Sequence, residues 1–282
     1  MDSSSKPVIQ VSTDFTEISN FAIEHAVIMA RLFRAKLLIV HIIDKYSRKL
    51  CKDENMPIEC LEKKLAEQAE NIKKTNGIEV EYIFRDGSII QEIATAAKEH
   101  DALLHVMGTH GMSGLQHITG SFTLKVIKHS PAPVLVIQKE PGKINYQKVI
   151  FPLELHPSSK QKIKFAKLLN KHAGSSFEFF ADYQNDKRAS VRIRADLKQL
   201  STIMENNGIP HNESFAKPKG AFHKQIIDFA VEKNADAILV TSDPDKFSWN
   251  PFNTEVKILY NEAKIPVIFI NAQHLGMIIG GR

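Results

Sequence analysis

Short runs of consecutive apolar and β-branched residues alternate along the chain with longer segments whose apolar positions recur every three or four residues. The first run, KPVIQVSTDF (6–15), ends on a Ser-Thr-Asp group and predicts a buried strand running into a helix cap. In the next segment Phe21, Ala22, His25, Ala26, Met29 and Phe33 fall at helical spacing. KLLIVHII (36–43) predicts a second strand, followed by a long charged helix. Residues 79–108 read as strand, glycine turn, helix and buried strand, and KVIKHSPAPVLVIQ (125–138) closes with a helix and a strand.

The same series then runs again. KVIFPLELHP (148–157) matches the first strand, SFEFFAD (176–182) the second, NESFAKPKGAFHKQIIDFAVEKNADAILVTS (212–242) the third unit, and ILYNEAKIPVIFIN (258–271) the last. Matching positions lie 141 residues apart at Val8 and Val149, 135 at Asp101 and Asp236, and 133 at Pro133 and Pro266. A slowly drifting offset indicates duplication with loop deletions. The chain therefore predicts an α/β protein of two tandem, doubly wound, five-stranded parallel-sheet sandwiches of Rossmann-like type, with domains at 1–140 and 147–274. The linker KEPGKINYQ (139–147) is short, so the domains are expected to touch. In such sheets ligands bind beyond the carboxyl ends of the strands, where strand order reverses.

Composition narrows the classes. With 282 residues, 43% hydrophobic and 24% charged, the chain is ordinary for a soluble two-domain protein. No apolar stretch is long enough for a membrane helix, and the polar start MDSSSKPVIQ lacks the order of a secretory signal, so a cytoplasmic location is the expectation. Cys51 and Cys60 lack metal-ligand spacing and read as free thiols. The net charge of +5 is dispersed, without a nucleic-acid-binding motif, which makes nucleic acid an unfavoured partner.

One segment stands apart. GTHGMSGLQHITGS (108–121) holds four of the chain's 13 glycines, directly after the fourth strand and before a helix starting near Gly120 or Ser121. A glycine loop opening a helix offers bare N–H groups and the positive helix end to an anion, and Ser121 adds a hydroxyl. It matches neither the Walker loop nor the first-strand dinucleotide motif. Asp14, at the end of the first strand, reaches the same edge, either as a cap for the first helix or as a partner for a ribose hydroxyl or base amine. Thr16 is an alternative cap. Ile42, after His41, reads as core or as an apolar wall for a base. His110 reads as a phosphate contact or a solvent-facing loop residue, and His41 and His105 as core histidines with satisfied ring nitrogens.

VSTDF, VHIID and MGTHGMSGLQHITGSFTLKVIKHSPAPVLVIQ together resemble the universal stress protein family, over nearly the whole chain. The resemblance implies the adenine nucleotide alpha hydrolase-like sandwich and, in the nucleotide-binding branch, a G-x2-G-x9-G-[ST] pattern crossed by ATP. Gly108 and Gly111 match its first pair, and Gly120 with Ser121 its end, with eight residues between Gly111 and Gly120 instead of nine. Asp14 matches the family's first-strand aspartate, and Ile42 and Met107 match positions flanking the base. Ser12 stands where the family often has proline. The implied binding set also takes in Ser12, Thr13, His110, Gly114 and Phe122, with ATP, ADP or AMP as ligand and Mg as a candidate companion.

In the second half the matching place reads LVTSDPDKFSWNPFNTEVKILY, and no glycine occurs from Asp236 to Ile265. Asp243 and Asp245 add negative charge, Pro244 and Pro251 lack N–H groups, and the first-strand aspartate gives way to Glu154 in an apolar-flanked setting. This domain is expected not to bind nucleotide in the family manner; Trp249 and Phe252 either fold over the cleft or pack a rebuilt loop. No catalytic or metal framework appears. The functional expectation is an adenine-nucleotide-binding stress-response regulator with one site per chain and an unidentified protein partner. The alternatives are a slow ATPase or adenylate-transferring enzyme, or a ligand-independent scaffold. PVLVIQ and PVIFIN are terminal strands that, by the resemblance, pair edges, giving an intramolecular pseudo-dimer or a homodimer.

Overall fold

A computed structural model describes residues 6–109, 120–139, 142, 145–242 and 254–271, and the chain divides into two compact units between residues 141 and 142. The first unit comprises β1 (Val8–Ser12), α1 (Glu17–Phe33), β2 (Lys36–Ile43), α2 (Lys45–Asp53), α3 (Glu59–Asn76), β3 (Val80–Asp86), α4 (Ile89–Glu99), β4 (Ala102–Gly108), α5 (Gly120–His129) and β5 (Val134–Ile137). Its strands lie in the order β3-β2-β1-β4-β5, every pair parallel. Strand order reverses between β1 and β4, so the doubly wound expectation holds and the crevice falls over their carboxyl ends. Both faces of the central strands are covered, which is why Ile9, Val11, Leu37 to Val40, Leu104 and Val106 are inaccessible to solvent.

The second unit contains β6 (Lys148–Leu153), α6 (Ile163–Ala173), β7 (Ser176–Ala181), α7 (Lys187–Asn206), β8 (His211–Phe215), α8 (Phe222–Glu232), β9 (Ala237–Ser242), α9 (Thr254–Leu259) and β10 (Val267–Asn271). Its parallel order, β10-β9-β6-β7-β8, repeats the first unit's topology. Phe151, Phe165, Phe177, Phe179 and Phe269 fill its core. Tyr146, within the predicted linker segment 139–147, is fully buried in this unit, its carbonyl accepting from Ser175 Oγ at 2.6 Å.

One element departs from expectation. The long charged helix after β2 is two helices, α2 and α3, with Asn55 in the left-handed region (φ 51°) and Pro57 between them. Proline disfavours helical backbone at the residue before it, so the chain turns here. The corresponding α7 has no proline and runs unbroken for 20 residues, capped by Asp186, whose Oδ1 accepts from Ala189 N at 2.8 Å. Cys51 is buried, Cys60 is exposed, and both are free thiols. Among the described residues no helix is long and apolar enough to cross a membrane.

Candidate functional site

A cavity of about 780 Å³ opens over the carboxyl ends of β1 and β2 and the end of β4. Ser12, Thr13, Asp14, Ile42, Gly108 and Phe122 all line it, so the sheet brings together residues up to 110 positions apart. Met107 does not line it: this side chain is about 1% exposed within β4, paired in register with Val136, and is core. Gly120 and Ser121 begin α5, the place expected for the helix start. His110, Gly111 and Gly114 lie outside the described residues, as do Asp243 to Phe252 of the second half.

The cap of α1 is shared between Asp14 and Thr16. Thr16 is the N-cap of α1, its hydroxyl accepting from Ser19 N. Asp14 fixes that cap, its Oδ1 accepting from Thr16 N at 3.1 Å and Thr16 Oγ1 at 2.6 Å. Among the described residues no donor is paired with Oδ2, which leaves one carboxylate oxygen for a ligand. The turn that aims it requires Phe15 to adopt φ 64°, a conformation a bulky residue seldom takes and one found at ligand clamps.

Behind the cleft two histidines are neutral. His105, fully buried, is pushed down to about 3 by loss of hydration. Gln10 Nε2 donates to Ile93 O at 3.1 Å, which fixes the amide's orientation, and its second proton goes to His105 Nδ1 at 3.1 Å. His105 Nε2–H therefore donates to Ser12 Oγ at 3.2 Å. Ser12, at the cavity wall, keeps its own proton to give. His41 is lowered chiefly by burial and donates from Nδ1 to Thr13 O at 2.8 Å. Its ring lies between Phe15 (centroids 4.6 Å) and Phe84 (5.6 Å). Both histidines are core residues with engaged ring nitrogens.

Three cations that the sequence did not single out also line the cavity: Lys45, Lys64 and Lys125. Lys64 Nζ stands 4.8 Å from the Phe15 ring centroid, and Lys125 projects from the second turn of α5. Against them stand Asp14 and Asp44, the latter occupied as the cap of α2. Gly108 has a cause unrelated to any ligand. A Cβ there would lie 2.5 Å from Ile18 Cγ2 and 2.7 Å from Ile18 O, so the approach of α1 demands glycine.

The second unit's cleft is smaller, about 210 Å³, and chemically different. Glu154, His156, Ser159, Lys162, Thr241 and Glu255 line it, and Lys162 occupies its floor at about 2% exposure. Among the described residues no group of three or more His, Cys, Asp or Glu could hold a metal ion.

A parallel sheet reversing at β1/β4, with a crevice at its carboxyl edge, defines a doubly wound α/β protein. The chain belongs to the universal stress protein family, whose model matches residues 8–138. It is 32% identical over 151 residues to universal stress protein MJ0577 of Methanocaldococcus jannaschii, covering 45% of this chain and 92% of that one. Universal stress protein MJ0531 of the same organism is 30% identical over 145 residues, covering 46% and 81%. The crystal structure of a universal stress protein from Archaeoglobus fulgidus superposes with a TM-score of 0.74, covering 94% of this chain and 98% of that one at 18% identity, which supports the tandem fold.

Proposed function

We propose that the first unit binds one adenine nucleotide, ATP or its lower phosphates, and that the chain acts as a nucleotide-dependent regulatory protein with a single such site. The observation that carries this is the cavity at the β1/β4 reversal, which is lined by Ser12, Asp14 and Ile42 together with Phe122 from the first turn of α5. In this reading Asp14 Oδ2 accepts from ribose hydroxyls, while Ser12 donates its free proton. Ile42, about 6% exposed, and Phe15 supply apolar surface to the base. The N–H groups at the head of α5 and the ammonium groups of Lys64 and Lys125 favour the phosphates. Mg, where present, arrives with the polyphosphate.

The second unit does not take a nucleotide in this way: a buried amine and two carboxylates line the smaller cleft. A melting scan of the full chain with millimolar ATP tests the proposal. At a 100-fold excess over Kd, ligand contributes about 2.7 kcal/mol, so the midpoint rises in the wild type and not in Asp14→Asn. An unchanged wild-type midpoint would overturn the assignment.

A further inference from the structure

The second unit contains a buried amine beside its cleft. Lys162 stands at the N-cap of α6 with helical backbone (φ −57°, ψ −22°), where a lysine ordinarily extends into water. Instead it turns inward: Nζ donates to the carbonyl of Pro152 in β6 and lies 4.5 Å from the Phe151 ring centroid. Lys162 and Glu154 both line the same 210 Å³ cleft, which is large enough for a molecule of a few heavy atoms.

The neighbours decide what the amine can do. The Pro152 carbonyl, the Phe151 face and Glu154 favour a proton on Nζ. Burial and the positive end of α6 oppose it. The outcome is a Lys162 amine lowered to about 7, chiefly by loss of hydration, with Glu154 partly offsetting. Glu154 is raised, first by burial and then by Glu255 and Asp182, against the pull of Lys162. Asp182, at the end of β7, is itself raised by burial, and His156 lines the same wall. An amine that is partly neutral near pH 7, beside a carboxyl group whose affinity for protons is raised, is a nucleophile next to a proton carrier.

We propose that Lys162 is a reactive lysine that captures a small aldehyde or ketone as an imine, with Glu154 carrying the proton. The Nζ lone pair forms a C–N bond to the carbonyl carbon while the C=O π pair moves to oxygen. Nitrogen gives up a proton and oxygen gains one, yielding a carbinolamine. Glu154 then protonates the hydroxyl, which leaves as water as nitrogen forms the C=N bond. The iminium returns its proton to Glu154. One water is released and nothing is oxidised or reduced. Glu154 and Glu255 in the cleft, with Asp182 close to Glu154, select an uncharged or cationic carbonyl compound over an anionic one. The site is separate from the nucleotide cleft and does not depend on that assignment.

Reductive labelling of the wild-type full chain tests this without requiring any variant to fold. The probe is glycolaldehyde with cyanoborohydride at pH 7, with peptide mass mapping of every lysine over time. An ordinary lysine, with a pKa near 10.4, is neutral in roughly one molecule in 2,500 at pH 7, against about half for Lys162. Allowing for weaker nucleophilicity and restricted entry, Lys162 is expected to be modified at least about tenfold faster than the exposed Lys167 and Lys198. Its rate should level off above about pH 7, while theirs keeps rising. Glyoxylate, an anionic aldehyde, should react more slowly at Lys162 than glycolaldehyde. Modification no faster than at Lys167, or none at all, overturns the proposal.

Discussion

The neutral His105 behind the first unit's cavity makes that unit sensitive to acid. Its imidazole is held at about 3 in the fold against an ordinary 6.5. A histidine with a depressed folded pKa gives stability that is fully present above 6.5 and is lost as pH falls towards 3. At pH 5 the unfolded chain has taken up the proton and the folded one has not. The loss is then fixed by the 1.5-unit gap between 6.5 and 5, at about 1.36 kcal/mol per unit, or about 2 kcal/mol. Any folded value below about 4 leaves that figure nearly unchanged. The perturbation is His105→Asn, which keeps a polar side chain between Gln10 and Ser12 and removes the titration. Hydrogen exchange of peptides from β1 and β4, corrected for intrinsic rates, isolates the first unit. That isolation matters because Glu154 and Asp182 in the second unit are raised and so act with opposite sign, gaining stability on acidification. Between pH 7.5 and 5.0 the variant should lose about 2 kcal/mol less than the wild type. His25, pushed down to about 4, remains in both and contributes in the same direction. Equal losses in the two proteins would refute a neutral, buried His105.

Gly108→Ala places a methyl 2.5 Å from Ile18 Cγ2 and 2.7 Å from Ile18 O. It should destabilise the first unit by about 1–3 kcal/mol in thermal unfolding, and Ile18→Ala should restore only part of that because the carbonyl remains. Lys64→Ala and Lys125→Ala should each weaken ATP binding several-fold in low-salt calorimetry, about 1 kcal/mol. Both losses should shrink at 0.5 M salt while the melting point without ligand stays unchanged.

The ladder of strands and helices was legible because buried parallel strands leave unbroken apolar runs, as in KLLIVHII, and helices leave spaced ones, as in Ala22 to Phe33. The break between α2 and α3 was less so, since its charged composition continues on both sides and Pro57 was the one local signal. The placement of Asp14 and Ile42 on the cavity was legible because strand ends bring them to the sheet edge. Met107 stands one step of strand alternation from Gly108 at the cavity edge, and its side chain is buried in β4. Lys64 was missed because it reaches the cleft only once the α2–α3 turn folds back, and no local pattern encodes that. Lys162 sits in KQKIKF, a stretch that reads as a solvated charged surface. Only the inward turn of its side chain, settled by β6 and the α6 start together, distinguishes it from Lys160 and Lys164.

The tight meeting of Gly108 with Ile18 bears on how such proteins are sorted. The first letter of a nucleotide signature is here already dictated by how a helix rests against a strand end. A relative with no ligand at all would still retain that letter, because replacing it would push the helix away. Surveys that score the signature from its opening residue therefore record architecture; the aspartate whose second oxygen stays unspent is the better witness to occupancy.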